Sequence, residues 1–328
     1  MTRSAFAVVV VAATLAVVGT GCGARVDSFD PVTTQGAAIT SLFWTELAIS
    51  AVLFAGVLGI VGYSLLRFRG RAGEPDPPQT HGNRRLEILW TVTPAATLLV
   101  IFVLVVQTMT EVNAAEPGSQ TIRVIGHQWW WELQYPEQHV VTANELHVAV
   151  NTPYVLQMES GDVIHSFWVP QFGWMRDAVP GKANYMSVRA TQTGTIEGGC
   201  NQYCGAQHAW MRERVVVQPR DQFDAWVAQQ QQPAARTGAR GEQVFLQNTC
   251  VSCHAIAGTG AAAQVGPNLT HLGSRSIIGA GVLDNTPDNL RRWIRNAQAV
   301  KPGVLMPGYP NLSDADIAAL ADYLEGLK

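Results

Sequence analysis

Two cysteine pairs carry most of the chemistry open to this 328-residue chain. Cys250 and Cys253 stand three apart in Cys250-Val251-Ser252-Cys253-His254. Two thiols so spaced at a helix start reach the two vinyl groups of one porphyrin, and the adjacent imidazole then points a nitrogen at the iron. This is the pattern of covalent c-type haem attachment. Half a zinc site is the alternative, but no second metal-binding pair lies in this region. A sixth iron ligand is expected to be Met or His. Met306 is the only methionine after Met211, with Pro307 next to it in a Gly-rich loop; His271 is its competitor.

The second pair opens the run Cys200-Asn201-Gln202-Tyr203-Cys204, which continues to His208 and Met211, with His165 upstream in His165-Ser166-Phe167-Trp168. Two thiolates, two imidazoles and a thioether form a soft donor set, suited to copper or zinc. Zinc bound by two Cys and two His leaves Met211 idle. One blue-copper ion needs a single Cys and leaves a thiolate unexplained. Two copper ions sharing both thiolates use every donor. Ligand count favours the copper pair, with zinc the open alternative.

The elements that must hold these groups follow from composition and pattern. Only 14% of the residues are charged and 47% are apolar, against about 25% charged in ordinary soluble proteins, which argues against a purely soluble enzyme. A net charge of −3 excludes a strongly basic nucleic-acid binder, and no nucleic-acid partner is expected. Residues 1–21 read as an export signal: Arg3, an apolar run from Ala5 to Val18, then small residues before Cys22. That arrangement resembles a bacterial lipoprotein signal, with 22–38 an exported segment. Apolar stretches from about Ile39 to Leu66 and Ile88 to Met109 each meet the ~20-residue span requirement and form a transmembrane hairpin over 39–110. Arg67, Arg69, Arg71, Arg84 and Arg85 between them place the connecting loop in the cytoplasm and everything after Met109 outside.

Beyond the hairpin, Thr121–Ile125, Glu145–Val150, Tyr154–Met158, Val163–Val169, Ala183–Ala190 and Glu213–Gln218 read as strands of a β-sandwich over 111–220. Asp221–Gln231 suits a short helix, Gln229–Gly241 a polar tether, and 221–236 is taken as the linker. Residues 237–328 are helical, with Thr286-Pro287 and Ser313 as helix starts. Net charges of −2 over 120–219 and +1 over 236–328 are too small to hold two modules together in salt, so apolar contact is expected to orient them.

The segment from 237 to 328 closely resembles the small class I cytochromes c, which implies that Gly266-Pro267-Asn268-Leu269 packs beside the proximal His254. Residues 35–220 resemble cytochrome c oxidase subunit II. The shared marks are the Cys200-to-Met211 run with its upstream His165-Ser166, the aromatic stretch Gly126-His127-Gln128-Trp129-Trp130-Trp131, Asp177-Ala178-Val179-Pro180-Gly181-Lys182, and Glu87-Ile88-Leu89-Trp90-Thr91-Val92-Thr93-Pro94. The whole chain thus resembles the fused subunit II of a caa-type oxidase. This implies a multi-domain membrane protein with a two-helix hairpin, an all-β cupredoxin-like sandwich and an all-α cytochrome c domain.

The resemblance further implies a binuclear CuA centre. Cys200 and Cys204 would bridge the coppers, His165 and Met211 would complete one ion, and His208 with the backbone carbonyl of Gln202 the other. Many relatives have Glu where Gln202 stands, a carboxylate that also touches magnesium. The haem would be held by the Cys250 and Cys253 thioethers, with His254 and Met306 axial. Trp129, as an exposed ring, would receive electrons for the copper pair; the alternative for this indole is strand packing. Glu87 would mark a proton-channel entrance; the alternative is an interfacial carboxylate. The implied role is electron transfer from a respiratory donor through haem c and CuA to haem a of subunit I, with further oxidase subunits in the membrane and both cofactor domains on the outer face. Oxygen would be reduced to water in subunit I, coupled to proton pumping. A copper-free quinol oxidase subunit is the rival that the intact copper donors speak against; a stand-alone redox or copper carrier would need neither Glu87 nor the hairpin.

Overall fold

A computed structural model describes residues 28–70, 73, 79, 82–234 and 237–328. The expected export signal over 1–21 and Cys22 lie outside the described residues. Two helices, α1 (Thr34–Arg67) and α2 (Arg84–Asn113), are long and apolar enough to cross a membrane. Both outrun the spans expected from hydropathy. At 34 residues, α1 is about 51 Å long, against ~30 Å of hydrocarbon. Its start is therefore free to sit on the sandwich that follows α2. Thr33 caps it, accepting from Gly36 N at 2.9 Å and donating to Phe172 O at 3.0 Å. Val32 N bonds Gln171 O at 3.0 Å, and Thr191 N bonds Val32 O at 2.8 Å. So 31–36, expected to belong to a separate exported segment, are part of the sandwich surface and the first turn of α1.

Two five-stranded sheets build the sandwich. One has the order β3–β2–β1–β5–β8: Val140–Ala143, Trp130–Tyr135, Gln120–His127, Pro153–Ser160 and Asn184–Arg189. The other has the order β4–β10–β9–β6–β7: Glu145–Ala149, Arg212–Gln218, Gly194–Cys200, His165–Trp168 and Met175–Ala178. Alternate residues of β1 point inward, as a half-buried strand requires, and Ile122, Val124, Trp131, Leu133, Leu156, Phe167 and Val215 fill the space between the sheets. Register places the metal donors. Phe167 of β6 pairs with Cys200 of β9, which sets His165 beside that strand end. The β9–β10 pair brings the ends of the ligand run together, with Cys200 N bonded to Met211 O at 2.9 Å.

The expected linker is structured. Arg220–Gln230 forms α3, whose Phe223 is buried in the sandwich core and whose Trp226 stacks on His147 at 4.2 Å. Gln230 then turns onto the helical domain: its carbonyl meets His271 Nε2 at 3.0 Å and its amide donates to Ser274 at 3.2 Å. Ala234 N bonds Ala257 O at 3.0 Å. A polar composition suggested a tether; Gln229, Gln231 and Gln232 are indeed exposed, but Gln230 is buried against partners in the helical domain. The helical domain crosses α4 (Arg240–Gln247) against α7 (Asp314–Glu325). They meet at Gly241, where a Cβ would lie 2.0 Å from Ala319 O. Thr286 and Ser313 cap α5 (Pro287–Arg295) and α7, and α6 (Ala297–Val300) follows α5.

The docking of α1 makes one glycine critical. Gly173 has φ +85°, and a Cβ there would lie 2.5 Å from Gly36 Cα. Gly118 has a similar φ of +80° in open space. Left-handed backbone costs a non-glycine residue on the order of 1–3 kcal/mol, and only Gly173 adds a collision. Gly173→Ala should therefore lower the thermal midpoint of the detergent-solubilised chain well below that of Gly118→Ala; equal shifts would mean that the helix contact contributes nothing.

Candidate metal and haem sites

The strand end and the loop from 201 to 211 converge on one cluster. Cys200 Sγ lies 3.8 Å from Cys204 Sγ, 3.8 Å from His165 Nδ1 and 3.2 Å from Gln202 O. Cys204 Sγ lies 3.6 Å from His208 Nδ1 and 3.9 Å from Met211 Sδ. All six expected copper donors are thus brought together, with His165, Cys204 and Met211 buried. The thiols are too far apart for a disulfide and well placed to share metal.

Electrostatics prepare the site for metal. The thiol pair shares one hydrogen bond, which pulls the Cys200 thiol down to about 3, helped by His165 against the cost of burial. The same interaction, with burial, pushes the Cys204 thiol up. Burial works to keep His165 neutral, but Cys200 and Asp162 outweigh it and raise its pKa. The nearby Glu213 carboxyl is driven far up by burial and by the Cys200 charge, so it is neutral.

Asp162, which the sequence reading passed over, orients the cluster. Its Oδ1 meets His165 Nε2 at 2.8 Å, leaving Nδ1 to face the thiols. Its Oδ2 accepts from Gln128 N at 2.7 Å and so ties the aromatic stretch to the same residue. Gly126 allows the close pass of β1, since a Cβ there would lie 2.7 Å from the His165 ring.

The haem residues surround a cavity of about 300 Å³. Cys250, Cys253, His254, Gly266, Pro267 and Met306 are all on its wall. His254 Nδ1 faces Pro267 O at 2.8 Å, which leaves Nε2 for a ligand, and burial keeps its imidazole neutral. A Cβ on Gly266 would come within 2.7 Å of that ring. Arg275, also on the wall, is buried and its Nε has no partner among the described residues. Its Nη2 donates to Asn268 O, and a buried guanidinium with a donor still free suits a group carrying carboxylates. His271 lies elsewhere, its Nε2 turned to Gln230 O.

The two sites meet at the aromatic stretch. Trp129, half-buried and not an exposed ring as expected, lines the haem cavity and donates its indole N–H to Cys204 O at 3.0 Å. Gln128 Nε2 donates to the same carbonyl at 2.7 Å. Gly205, at φ +118°, makes room, since a Cβ would lie 3.1 Å from both Gln128 and Trp129. Trp130 stacks on His127 at 4.4 Å. Trp131 is fully buried beneath His165, with ring centroids 5.8 Å apart. Glu87 stands apart from both sites, in the first turn of α2.

Three family models match along the chain: the subunit II transmembrane domain of cytochrome c oxidase over 29–108, its periplasmic domain over 137–219, and cytochrome c over 238–328. Subunit 2 of the cytochrome c oxidase of Alkalihalophilus pseudofirmus is 36% identical over 325 residues, 94% of this chain and 93% of the relative. The chain belongs to the cytochrome c oxidase subunit II family. The Bacillus subtilis subunit is 32% identical over 291 residues, 81% of this chain and 82% of that one. A solved periplasmic domain of subunit II from Bradyrhizobium japonicum is 31% identical, covers 36% of this chain and 96% of that one, and has a TM-score of 0.35. The oxidase subunit is a membrane protein that works with other oxidase subunits and carries electrons through haem c and CuA.

Two predictions follow from the donor geometry. Both thiols must be deprotonated to bind copper, so apparent copper affinity of the full chain should rise with pH. The slope should be about tenfold per pH unit for each proton released, measured by chelator competition between pH 6 and 8; a flat profile would mean that the pair is already fully ionised. Met306→Ala should lower the haem potential in a redox titration, because a thioether ligand favours ferrous iron. An unchanged potential with a low-spin spectrum would remove Met306 from the iron.

Proposed function

We propose that electrons enter this subunit at haem c, cross to the copper pair by way of Trp129, and leave for haem a of subunit I, where oxygen is reduced to water and protons are pumped. When bound, the haem and the copper pair supply the reversible one-electron carriers. The chain supplies placement. Cys250, Cys253, His254 and Met306 would hold the haem; Cys200, Cys204, His165, His208, Met211 and the Gln202 carbonyl would hold the coppers. Asp162 holds the His165 ring in register, buried Trp131 lies beneath that ring at 5.8 Å, and Phe167 packs edge-on against Trp131 at 5.3 Å.

One observation carries the reading: a single indole both lines the haem cavity and bonds the carbonyl of the Cys204 donor residue. The exit lies on the far side of the cluster, where Gln202 is exposed and Tyr203 is 79% exposed, a surface suited to subunit I. The Gln202 side chain is a neutral amide, so it offers magnesium a weaker ligand than a carboxylate would. The arginines at the hairpin loop, Arg67, Arg69, Arg84 and Arg85, support an outer location for both cofactor domains. Glu87, at the loop end of α2, is our candidate for the mouth of a proton channel into subunit I.

Trp129→Leu in the purified oxidase should slow haem-to-copper transfer on the order of tenfold to a hundredfold, the scale on which displaced reacting groups lose rate. Both cofactor spectra should survive, because the Trp129 backbone bonds remain. Flash-induced electron injection at the haem reads the rate, and an unchanged rate would remove the indole from the path.

A further inference from the structure

Between the haem and copper domains, two buried ionisable side chains face opposite ways, and burial pulls the Lys301 ammonium down to about 7. Lys301, which follows α6, is only 2% exposed. Its Nζ donates to Trp129 O at 3.0 Å, Trp210 O at 2.8 Å and Gly279 O at 3.0 Å. An ammonium has three N–H donors and no acceptor, so each donor is used. Two of the three acceptors belong to the copper domain. They are the residue carrying the indole that reaches Cys204 and the residue just before Met211. Gln207 in the ligand loop donates to Pro302 O, next to the lysine.

Glu145, which opens β4 in the copper domain, is 3% exposed. Its Oε1 accepts from Ser276 N at 2.7 Å, from Ser276 Oγ, and from Ile277 N at 3.0 Å, all in the haem domain. Burial alone would raise this carboxyl, but bonds from His147 and Ser276 outweigh it and hold it below the usual range. Arg214 Nη1 braces the same serine at 2.7 Å, and Arg212 N bonds Ala280 O at 3.1 Å.

We propose that Lys301 and Glu145 are reciprocal positioning residues that fix one docked pose of the haem domain on the copper domain, and that this pose sets the rate of haem-to-copper electron transfer. The inference rests on the electron-transfer reading above. A buried charge is tolerated only with its hydrogen bonds complete. A rotated or shifted pose would leave the ammonium and the carboxylate dry and unpaired, so misdocked arrangements are selected against. Such groups add little net affinity over an apolar contact but discriminate strongly between arrangements. Proximity comes from the chain connection through α3; orientation comes from the two anchors. Net charges of the modules do not reveal this, because each anchor's hydrogen-bond partners in the other domain are peptide groups and a hydroxyl, while His147 and Arg275 add charge interactions to Glu145 alone.

The test uses the purified oxidase, with electrons injected by flash into haem c and copper reduction followed by absorption. Wild-type transfer should be independent of solvent viscosity, because no docking motion precedes it. Lys301→Met and Glu145→Gln should each slow transfer on the order of tenfold and make it viscosity-dependent, with haem and copper spectra retained as the check on folding. In both variants an added soluble cytochrome c should gain direct, salt-sensitive access to the copper face. Viscosity-dependent transfer in wild type, or unchanged rates in both variants, would overturn the proposal. An absence of haem-to-copper transfer in wild type would instead overturn the electron-transfer reading on which it rests.

Discussion

Cys204 faces two ways, and the arrangement depends on it. Its thiol sits among Cys200, His208 and Met211, while its carbonyl takes hydrogen bonds from both the Gln128 amide and the Trp129 indole. Whatever metal the thiol holds is therefore linked through one residue to the ring on the haem cavity wall. The constraint propagates outward. The loop needs Gly205 to pass beneath the indole, β1 needs Gly126 to clear His165, and β6 and β9 need their register to bring His165 to Cys200.

The membrane hairpin and the haem domain attach to this sandwich by different physics. The start of α1 joins it through backbone bonds and a glycine–glycine approach at Gly36 and Gly173, which is rigid and nearly uncharged. The haem domain joins through two buried ionisable side chains, Lys301 with three carbonyl partners and Glu145 with three donors on one oxygen. The first attachment fixes the sandwich on the start of α1. The second fixes which face of the haem domain meets Trp129.

The donor residues were legible because their chemistry is concentrated in short runs: five residues hold the haem motif and twelve the Cys200-to-Met211 run. The helix starts at Thr286 and Ser313 were legible because capping is local. Strands β2, β3, β7 and β9 were not. β9 reads Gly-Thr-Ile-Glu-Gly-Gly-Cys, where glycines erase the alternation, and Trp130-Trp131-Glu132 reads as an aromatic patch more than a strand. The linker was misread because Gln230 looks like a solvated side chain, yet its amide and carbonyl are taken by Ser274 and His271. Lys301 and Glu145 were invisible for a related reason. Nothing local distinguishes a buried lysine from a surface one when its partners are carbonyls 91 and 172 residues away.

The central claim is that haem and copper sit in one short, fixed relation across Trp129. Pulsed electron paramagnetic resonance between the ferric haem and the mixed-valence copper pair in the full-length, cofactor-loaded subunit measures it directly. A single narrow distance distribution, unchanged by salt, is the predicted result. A broad or salt-dependent distribution would show a haem domain that docks and departs on its linker, and would contradict the account.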